Sequence, residues 1–514
     1  MVFAFILVLV YMVFFYKKAG FVADIALLVN VFFLFGVLAC LGSVLTLPGI
    51  AGIVLTLGMA VDSNVIIFER IKEEIKAGKG IRLAISDGYK NAYSAIIDGN
   101  VTTLITGIIL IILGTGPVHS FAVTLCIGIL TSLATSIFIS RLIFERMLDK
   151  DREISFSTNL TRNFLQDKHY DFIGMRKTSF IICICFLVVS LGSLAIRGLN
   201  LGIDFKGGRN YVVQFDDPSI KVEQVRDALT TVNFDKNAIH TALAMREDQE
   251  VDDWSAPEVK TYGTNGQVKI TTKFLINNDS PAVDSVIQTI LYDGLKGLYT
   301  NNLSMTQFSS EDETVGILST QKVGATIASD VTRKSIWAII VALALMFVYI
   351  AIRFKKWQYG VASIMALTQD TLIVLGMYSL FYNVLPFTME VDQSFIAAVL
   401  TVIGYSINAT VVIFDRIREN VGLHPKSSWK VNMNNAVNST LTRSFNTSGS
   451  TLVVLLAIFI FGGDTIRGFI FALLVGVLAG TFSSVFLSSP FAYVLMKGNK
   501  KDKEITEESA SKKK

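Results

Sequence analysis

The chain has 514 residues, of which 52% are hydrophobic and 17% charged. Soluble domains carry about 25% charged residues, so this composition, with its long apolar runs, excludes a soluble globule and points to a polytopic membrane protein. The 46 Lys and Arg against 42 Asp and Glu leave a net charge of +4, which gives no basis for nucleic-acid binding.

In chain order, the first apolar run, 1–16, lacks the basic leader and small-residue cleavage site of a signal peptide. Candidate spans follow near 22–45, 49–68, 99–116, 118–142 and 178–197. After a long polar stretch, others fall near 335–353, 358–383, 393–414, 445–462 and 467–496. Most are long enough for a bilayer core of about 30 Å. The polar stretch 198–334 alternates like strands in Asn210–Phe215 and Val268–Phe274, and has helical spacing in Ile220–Val232 and Ala282–Leu295. It predicts one α+β domain, with two βαβ-like halves making a ferredoxin-like unit. The expected organisation is therefore a first transmembrane half (1–150), a linker (151–177), a span opening the second half (178–197), the α+β domain (198–334), a second bundle (335–497) and a disordered tail (498–514).

Basic residues gather in alternate connections, for example Lys17–Lys18, Arg70–Arg82, Arg146–Arg152 and Arg353–Lys356. The opposite short connections are nearly free of them. Positive residues stay inside, which places 198–334 outside, the tail inside and the N-terminus outside. An outside N-terminus without a signal is awkward to insert, so the chain is expected to be the C-terminal part of something longer. Cys40, Cys126, Cys183 and Cys185 all lie in apolar runs and read as small buried hydrophobes, not as a disulfide or zinc set. His119, His169, His240 and His424 are scattered and suggest no metal site or triad. The Ile203–Gly208 stretch, IDFKGG, lacks a following Lys-Ser/Thr helix start and reads as a turn into a strand.

An internal repeat sets the architecture. Gly58–Glu73 (GMAVDSNVIIFERIKE) and Gly404–Glu419 (GYSINATVVIFDRIRE) align at an offset of 404 − 58 = 346. Leu113–Leu130 pairs with Phe461–Leu478 at an offset of 348. Both copies keep one orientation, which makes a parallel repeat about an axis along the membrane normal, with a functional seam between the halves.

Polar residues at membrane depth mark that seam. Asp62 lies about 21 Å below the outer surface, counted from Pro48 at 1.5 Å per residue, and Asn408 lies at a similar depth. Asp98 leads a DGNVTT turn about 24 Å below Gly114, where helix capping explains it as well as a relay does. Arg443 lies about 29 Å below Gly462, its long side chain able to reach upward. Asp370 sits well inside its span. An ionised group at a helix centre costs about 2.5–3.5 kcal/mol, so Asp62, Arg443, Asp98 and Asp370 are candidates for a proton relay, with Asn64, Asn408, Thr102, Thr410 and Thr447 as polar seam residues. Glu69–Arg70 and Asp415–Arg416 read as interfacial anchors and loop ion pairs.

Leu45–Glu74, DGNVTTLITG and GTGPVHSFAVTL resemble SecD, whereas Leu199–Gly208, Val402–Asn420 and Asn438–Ser448 resemble SecF. The order resembles a SecD tail fused to SecF, within the resistance-nodulation-division (RND) superfamily. The resemblance implies a polytopic α-helical membrane protein: two pseudo-symmetric RND-type helix bundles with one extracytoplasmic α+β ferredoxin-like domain. It implies proton-motive-force-driven help to preprotein export across the bacterial cytoplasmic membrane. The implied partners are the SecYEG channel, SecA, YajC, the preprotein and membrane lipids, and the implied currency is protons, with no cofactor. By motif, Asp62 becomes the SecD-side proton site, Arg443 the SecF-side arginine, and Asp370 the acid of SecF's third helix. Two positions depart from the pattern, Gln369 standing where a His is common and Ala409 replacing the usual acid, and SecD's first helix and large outer domain do not appear. A small-molecule or lipid exporter of the same superfamily and a non-transporting translocon scaffold are the alternatives. An exporter would carry large outer domains in both halves, and a scaffold would keep its binding in Asp62→Asn.

Overall fold

The computed structural model describes residues 2–232 apart from 44, 153, 159–160 and 162–168, then 239 and 243. It also describes 254–496 apart from 255–256, 263–265, 277, 279, 281, 311–313, 383 and 386. His240, part of the linker and the tail 498–514 lie outside the described residues.

The first half is built from α1 (Val2–Tyr16), α2 (Lys18–Cys40), α3 (Leu47–Lys76), α4 (Ile81–Leu113), α5 (Pro117–Ala134) and α6 (Ser140–Asp149), with a π-helical segment, Thr135–Ile139, joining the last two. Next come α7 (Arg176–Arg197) and the short α8 (Ile203–Lys206). The sheet domain contains β1 (Gly208–Gln214), α9 (Val222–Thr230), β2 (Glu258–Thr261), β3 (Gln267–Thr272), α10 (Ala282–Leu295), α11 (Met305–Phe308) and β4 (Gly316–Val323). The second half continues with α12 (Ala325–Phe354), α13 (Trp357–Phe381), α14 (Gln393–Leu423), α15 (Trp429–Phe461), α16 (Asp464–Ser483) and α17 (Ser489–Leu495), the last two joined by a π segment at Ser484–Ser488. Among the described residues, ten helical stretches are long and apolar enough to cross a membrane. Helix α1 is not one of them: it has 15 residues, about 22 Å at 1.5 Å per residue, and falls short of a bilayer core.

Local chemistry fixes the helix starts. The Thr46 hydroxyl accepts from Gly49 N at 3.2 Å, with Pro48 in the first turn of α3. Asp392 accepts from Phe395 N at 2.7 Å at the start of α14, and Ser428 from Val431 N at 3.2 Å at the start of α15. Each acceptor satisfies one orphan N–H.

Several helices run past their expected ends. The span near 99–116 is the second part of a helix beginning at Ile81, and that near 445–462 belongs to one beginning at Trp429. Asp98 is thus a mid-helix residue, not a cap. The polar residues between the expected spans mask this continuity, because they pack on neighbouring helices.

The repeat is visible as contacts. The two π segments stand 484 − 135 = 349 residues apart. Gly58 faces Thr451 Cα, and its repeat mate Gly404 faces Thr103 Cα; 451 − 103 = 348, so the contacts are reciprocal across the seam. Phe121 and Phe469, equivalent at 348, meet each other edge-on at 5.5 Å. A contact between equivalent residues places them at the pseudo-two-fold axis. A Cβ on Gly404 would sit 2.6 Å from Thr106 Oγ1, which is why α4 and α14 need glycine there to approach so closely.

The sheet domain has strand order β2-β3-β1-β4, with each neighbouring pair antiparallel. With α9 after β1 and α10 after β3 this is a βαββαβ, ferredoxin-like topology. Alternate residues Tyr211 and Val213 of β1 pack with Val225, Ile270, Ile287 and Leu291 in its core. Gly207 (φ 69°) and Gly208 (φ 143°) make the turn into β1. The domain is fastened to the helices by backbone pairing, Gly202 N to Val391 O at 2.9 Å, and by Glu390, which accepts from Lys269 at 2.6 Å and Lys260 at 3.3 Å. Burial alone would raise the Glu390 carboxyl, but the two ammonium groups outweigh it and hold the group below the usual range.

Candidate functional site in the seam

Four long helices meet in reciprocal pairs: α3 packs on α15, and α4 on α14. Asp62 of α3 is 4% exposed, and Ser450 of α15 donates to its Oδ1 at 3.4 Å. Arg443 lies two turns further along α15. Asp62 and Arg443 line one small cavity of about 20 Å³ together with Tyr405, Asn408, Ala409 and Thr447. A cavity needs about 10–15 Å³ to hold one water, so this one has room for a single water beside the two charged side chains. Among the described residues, Arg443 Nη2, Asn408 Oδ1 and Asn64 Oδ1 are buried without a hydrogen-bond partner. Such groups are costly in an apolar interior; Arg443 and Asn408 line the cavity, where they leave bonding capacity for a water, whereas Asn64 lies outside it.

Asp98 and Asp370 are not brought to this cavity. Asp98 is held by Arg353 of α12, whose Nε lies 2.8 Å from both carboxylate oxygens and whose Nη2 lies 2.7 Å from Oδ2, while Tyr349 donates to Oδ1 at 3.0 Å. The arginine that Asp98 meets is Arg353, and the pair ties the first half to α12. Asp370 is fully buried and accepts from Ser406 at 2.6 Å and Ser483 at 2.8 Å. Its Oδ1 has no partner among the described residues. Thr102 and Thr447 return their hydroxyls to backbone carbonyls of Gly99 and Arg443, and Thr410 is buried.

At the basic end of the seam, Arg70 Nη1 lies 2.8 Å from Glu73 and its Nη2 2.7 Å from Glu419, while Arg416 Nη1 lies 2.9 Å from Glu419 and its Nη2 3.1 Å from Glu73. Arg70 with Arg416, and Glu73 with Glu419, are mates at offset 346. The result is a closed square of alternating charges, half of whose bonds cross from one half to the other. The anchoring role expected for Arg70 and Arg416 becomes a latch between halves. Above the square, Glu69 is 8% exposed and accepts from Tyr16 at 2.9 Å and Lys72 at 2.9 Å. Asn446 donates to Tyr16 at 2.9 Å.

Sequence reasoning missed the square, although the coincidence of Arg and Glu at one offset was its signal. It also missed Asp24 of α2, which is 7% exposed with Oδ1 unpartnered among the described residues; 370 − 24 = 346 makes it the mate of Asp370.

Residues 1–150 and 304–498 match the family described as protein export membrane protein SecD/SecF, C-terminal, and residues 192–219 match the SecD/SecF GG motif. The chain belongs to the SecD/SecF family. It is 31% identical over 502 residues to the protein translocase subunit SecDF of Bacillus subtilis, covering 94% of this chain and 62% of that one. It is 36% identical over 326 residues to the SecF of Rhodothermus marinus, covering 63% of this chain and 92% of that one. Among solved structures it resembles SecDF of Thermus thermophilus, described as a translocon-associated membrane protein, with a TM-score of 0.79 and 31% identity over 96% of this chain and 61% of that one. This SecD/SecF chain thus spans under two thirds of the length of those fused relatives. It is a multi-pass membrane protein, as the ten long apolar helices require.

Proposed function

We propose that this SecD/SecF chain is a proton-motive-force-driven accessory of the Sec translocon that promotes late steps of preprotein export across the cytoplasmic membrane. The sheet domain lies on the outer side, and SecYEG, SecA and YajC are its partners. The observation that carries the reading is the convergence of Asp62 from one half and Arg443 from the other on one water-sized cavity. A carboxylate beside a guanidinium is favoured ionised, and burial disfavours that form. Motion of α3 against α15 changes the balance between the two, so proton uptake and release at Asp62 are coupled to movement of the halves. One charge moving through 100 mV provides about 2.3 kcal/mol, enough to shift a two-state equilibrium about fiftyfold.

The test is export of a preprotein into inverted membrane vesicles carrying the complete system, with and without a proton gradient. The Asp62→Asn variant is expected to lose the stimulation by the gradient while keeping its assembly in the membrane. Retention of that stimulation overturns the reading. A drug or lipid efflux defect without preprotein accumulation would select the exporter alternative.

A further inference from the structure

A groove of about 610 Å³ opens between α2 and α6, at the end of the first half where the basic connections lie. We infer that it binds the headgroup of an anionic phospholipid of the cytoplasmic leaflet.

The two walls carry matched stripes. On α2 the lining residues are Lys18, Phe21, Val22 and Ile25, and at α6 they are Ile143, Arg146 and Met147 with Lys150 at the C-cap. Both sets follow i, i+3, i+4, i+7, the spacing of one helix face. The helices are antiparallel, so each stripe is charged at the mouth of the groove and apolar deeper in: Lys18 opposite Lys150, Ile25 opposite Ile143. Just past the end of α6, Asp151 takes a positive φ of 50°, and Arg152 N closes back onto Met147 O at 3.1 Å. This turn brings Arg152 to the mouth as a fourth cation lining the groove.

The carboxylates of α6 are engaged elsewhere, Glu145 by Arg141 at 2.8 Å and Asp149 by Arg82 at 3.1 Å. Beside the groove, Phe21, Phe138 and Leu142 are exposed by 62%, 71% and 63% and form the lipid-facing flank along which acyl chains would run. Basic groups at the mouth above an apolar floor match a phosphate diester with its chains attached. A free phosphate has no use for the floor, and basic pockets between helices on this side are known to suit such headgroups. Among the described residues the second half does not repeat the charge of Arg146: at the 349 offset, Leu495 stands in its place.

The experiment measures binding to the full chain in a neutral detergent, by native mass spectrometry, with cardiolipin, phosphatidylglycerol, phosphatidylcholine and inorganic phosphate as separate probes. The two anionic lipids are expected to bind and to compete, and phosphatidylcholine and inorganic phosphate to bind at least tenfold more weakly. Each basic residue near an anionic headgroup is worth roughly fivefold. The triple change Arg146→Gln, Lys150→Gln, Arg152→Gln is thus expected to weaken cardiolipin about a hundredfold. The triple Lys76→Gln, Lys90→Gln, Lys177→Gln, outside the groove, should leave it within about twofold. Circular dichroism and gel filtration check both triples for folding, and single Arg152→Gln, expected near a fivefold loss, serves if the groove triple does not fold. Equal losses in the two triples reduce the effect to diffuse surface charge and overturn the proposal, as does inorganic phosphate binding as well as lipid.

Discussion

Replacing Arg70 and Arg416 by Gln, singly and together, probes the charge square between the halves. Each arginine makes two charge-assisted bonds, one to a glutamate three residues on and one across the seam. A hydrogen bond to a charged group contributes about 1.5–3 kcal/mol when protected from water. The arginine side chains are 14% and 18% exposed, the glutamates 39% and 36%, so screening lowers this toward about 1 kcal/mol per bond. Each single change is then expected to cost about 2 kcal/mol, because the remaining arginine still neutralises both glutamates. The double change removes that arginine too and leaves Glu73 beside Glu419 with like charges facing, so it should cost about 1 kcal/mol more than the sum of the singles. The assay is reversible unfolding of the full chain in detergent, read as a double-mutant cycle. Adding Glu73→Gln and Glu419→Gln to the double should recover part of the loss. Additivity within about 0.5 kcal/mol, or no recovery, refutes the square as a cooperative latch.

Asp392 caps α14 from a half-buried position outside the spans. Burial, reinforced by Asp204 and Glu390 nearby, pushes its carboxyl up to about 6 although the Phe395 N–H bond pulls the other way. The native state thus binds more protons than the unfolded one between about pH 4 and 6, and stability contributed by this group falls as pH rises through that window. The Asp392→Asn variant, which retains a capping side chain, should flatten this fall and raise the thermal midpoint at pH 7; an unchanged pH profile contradicts the assignment. For the Asp98–Arg353 pair, Arg353→Gln strands a carboxylate only 8% exposed. Breaking a buried pair costs about 3–5 kcal/mol, and partial exposure of Arg353 sets the lower end. Adding Asp98→Asn should restore most of it, and a thermal midpoint that does not recover removes the pairing.

The membrane class, the repeat and the position of Asp62 were legible because apolar length and offset are local properties of the chain. So was the sheet domain, whose alternation in Asn210–Phe215 and Val268–Phe274 falls on β1 and β3. Helix continuity through 81–98 and 429–444 was not legible, because Ser94, Asp98, Asn432 and Asn438 look like loop residues until their partners are seen. Asp98 and Arg353 stand 255 residues apart, and no local pattern joins them. Arg70 was read as an anchor because positive charge at a helix end satisfies the topology rule whether it faces lipid, water or its own symmetry mate.

The most direct measurement of the central claim is proton uptake by the full chain in sealed proteoliposomes under an imposed potential, for wild type, Asp62→Asn, Arg443→Gln and the pair of changes together. The account predicts that Asp62→Asn abolishes uptake, that Arg443→Gln reduces it, and that the double variant is no worse than Asp62→Asn alone. Uptake by Asp62→Asn at the wild-type rate would contradict it.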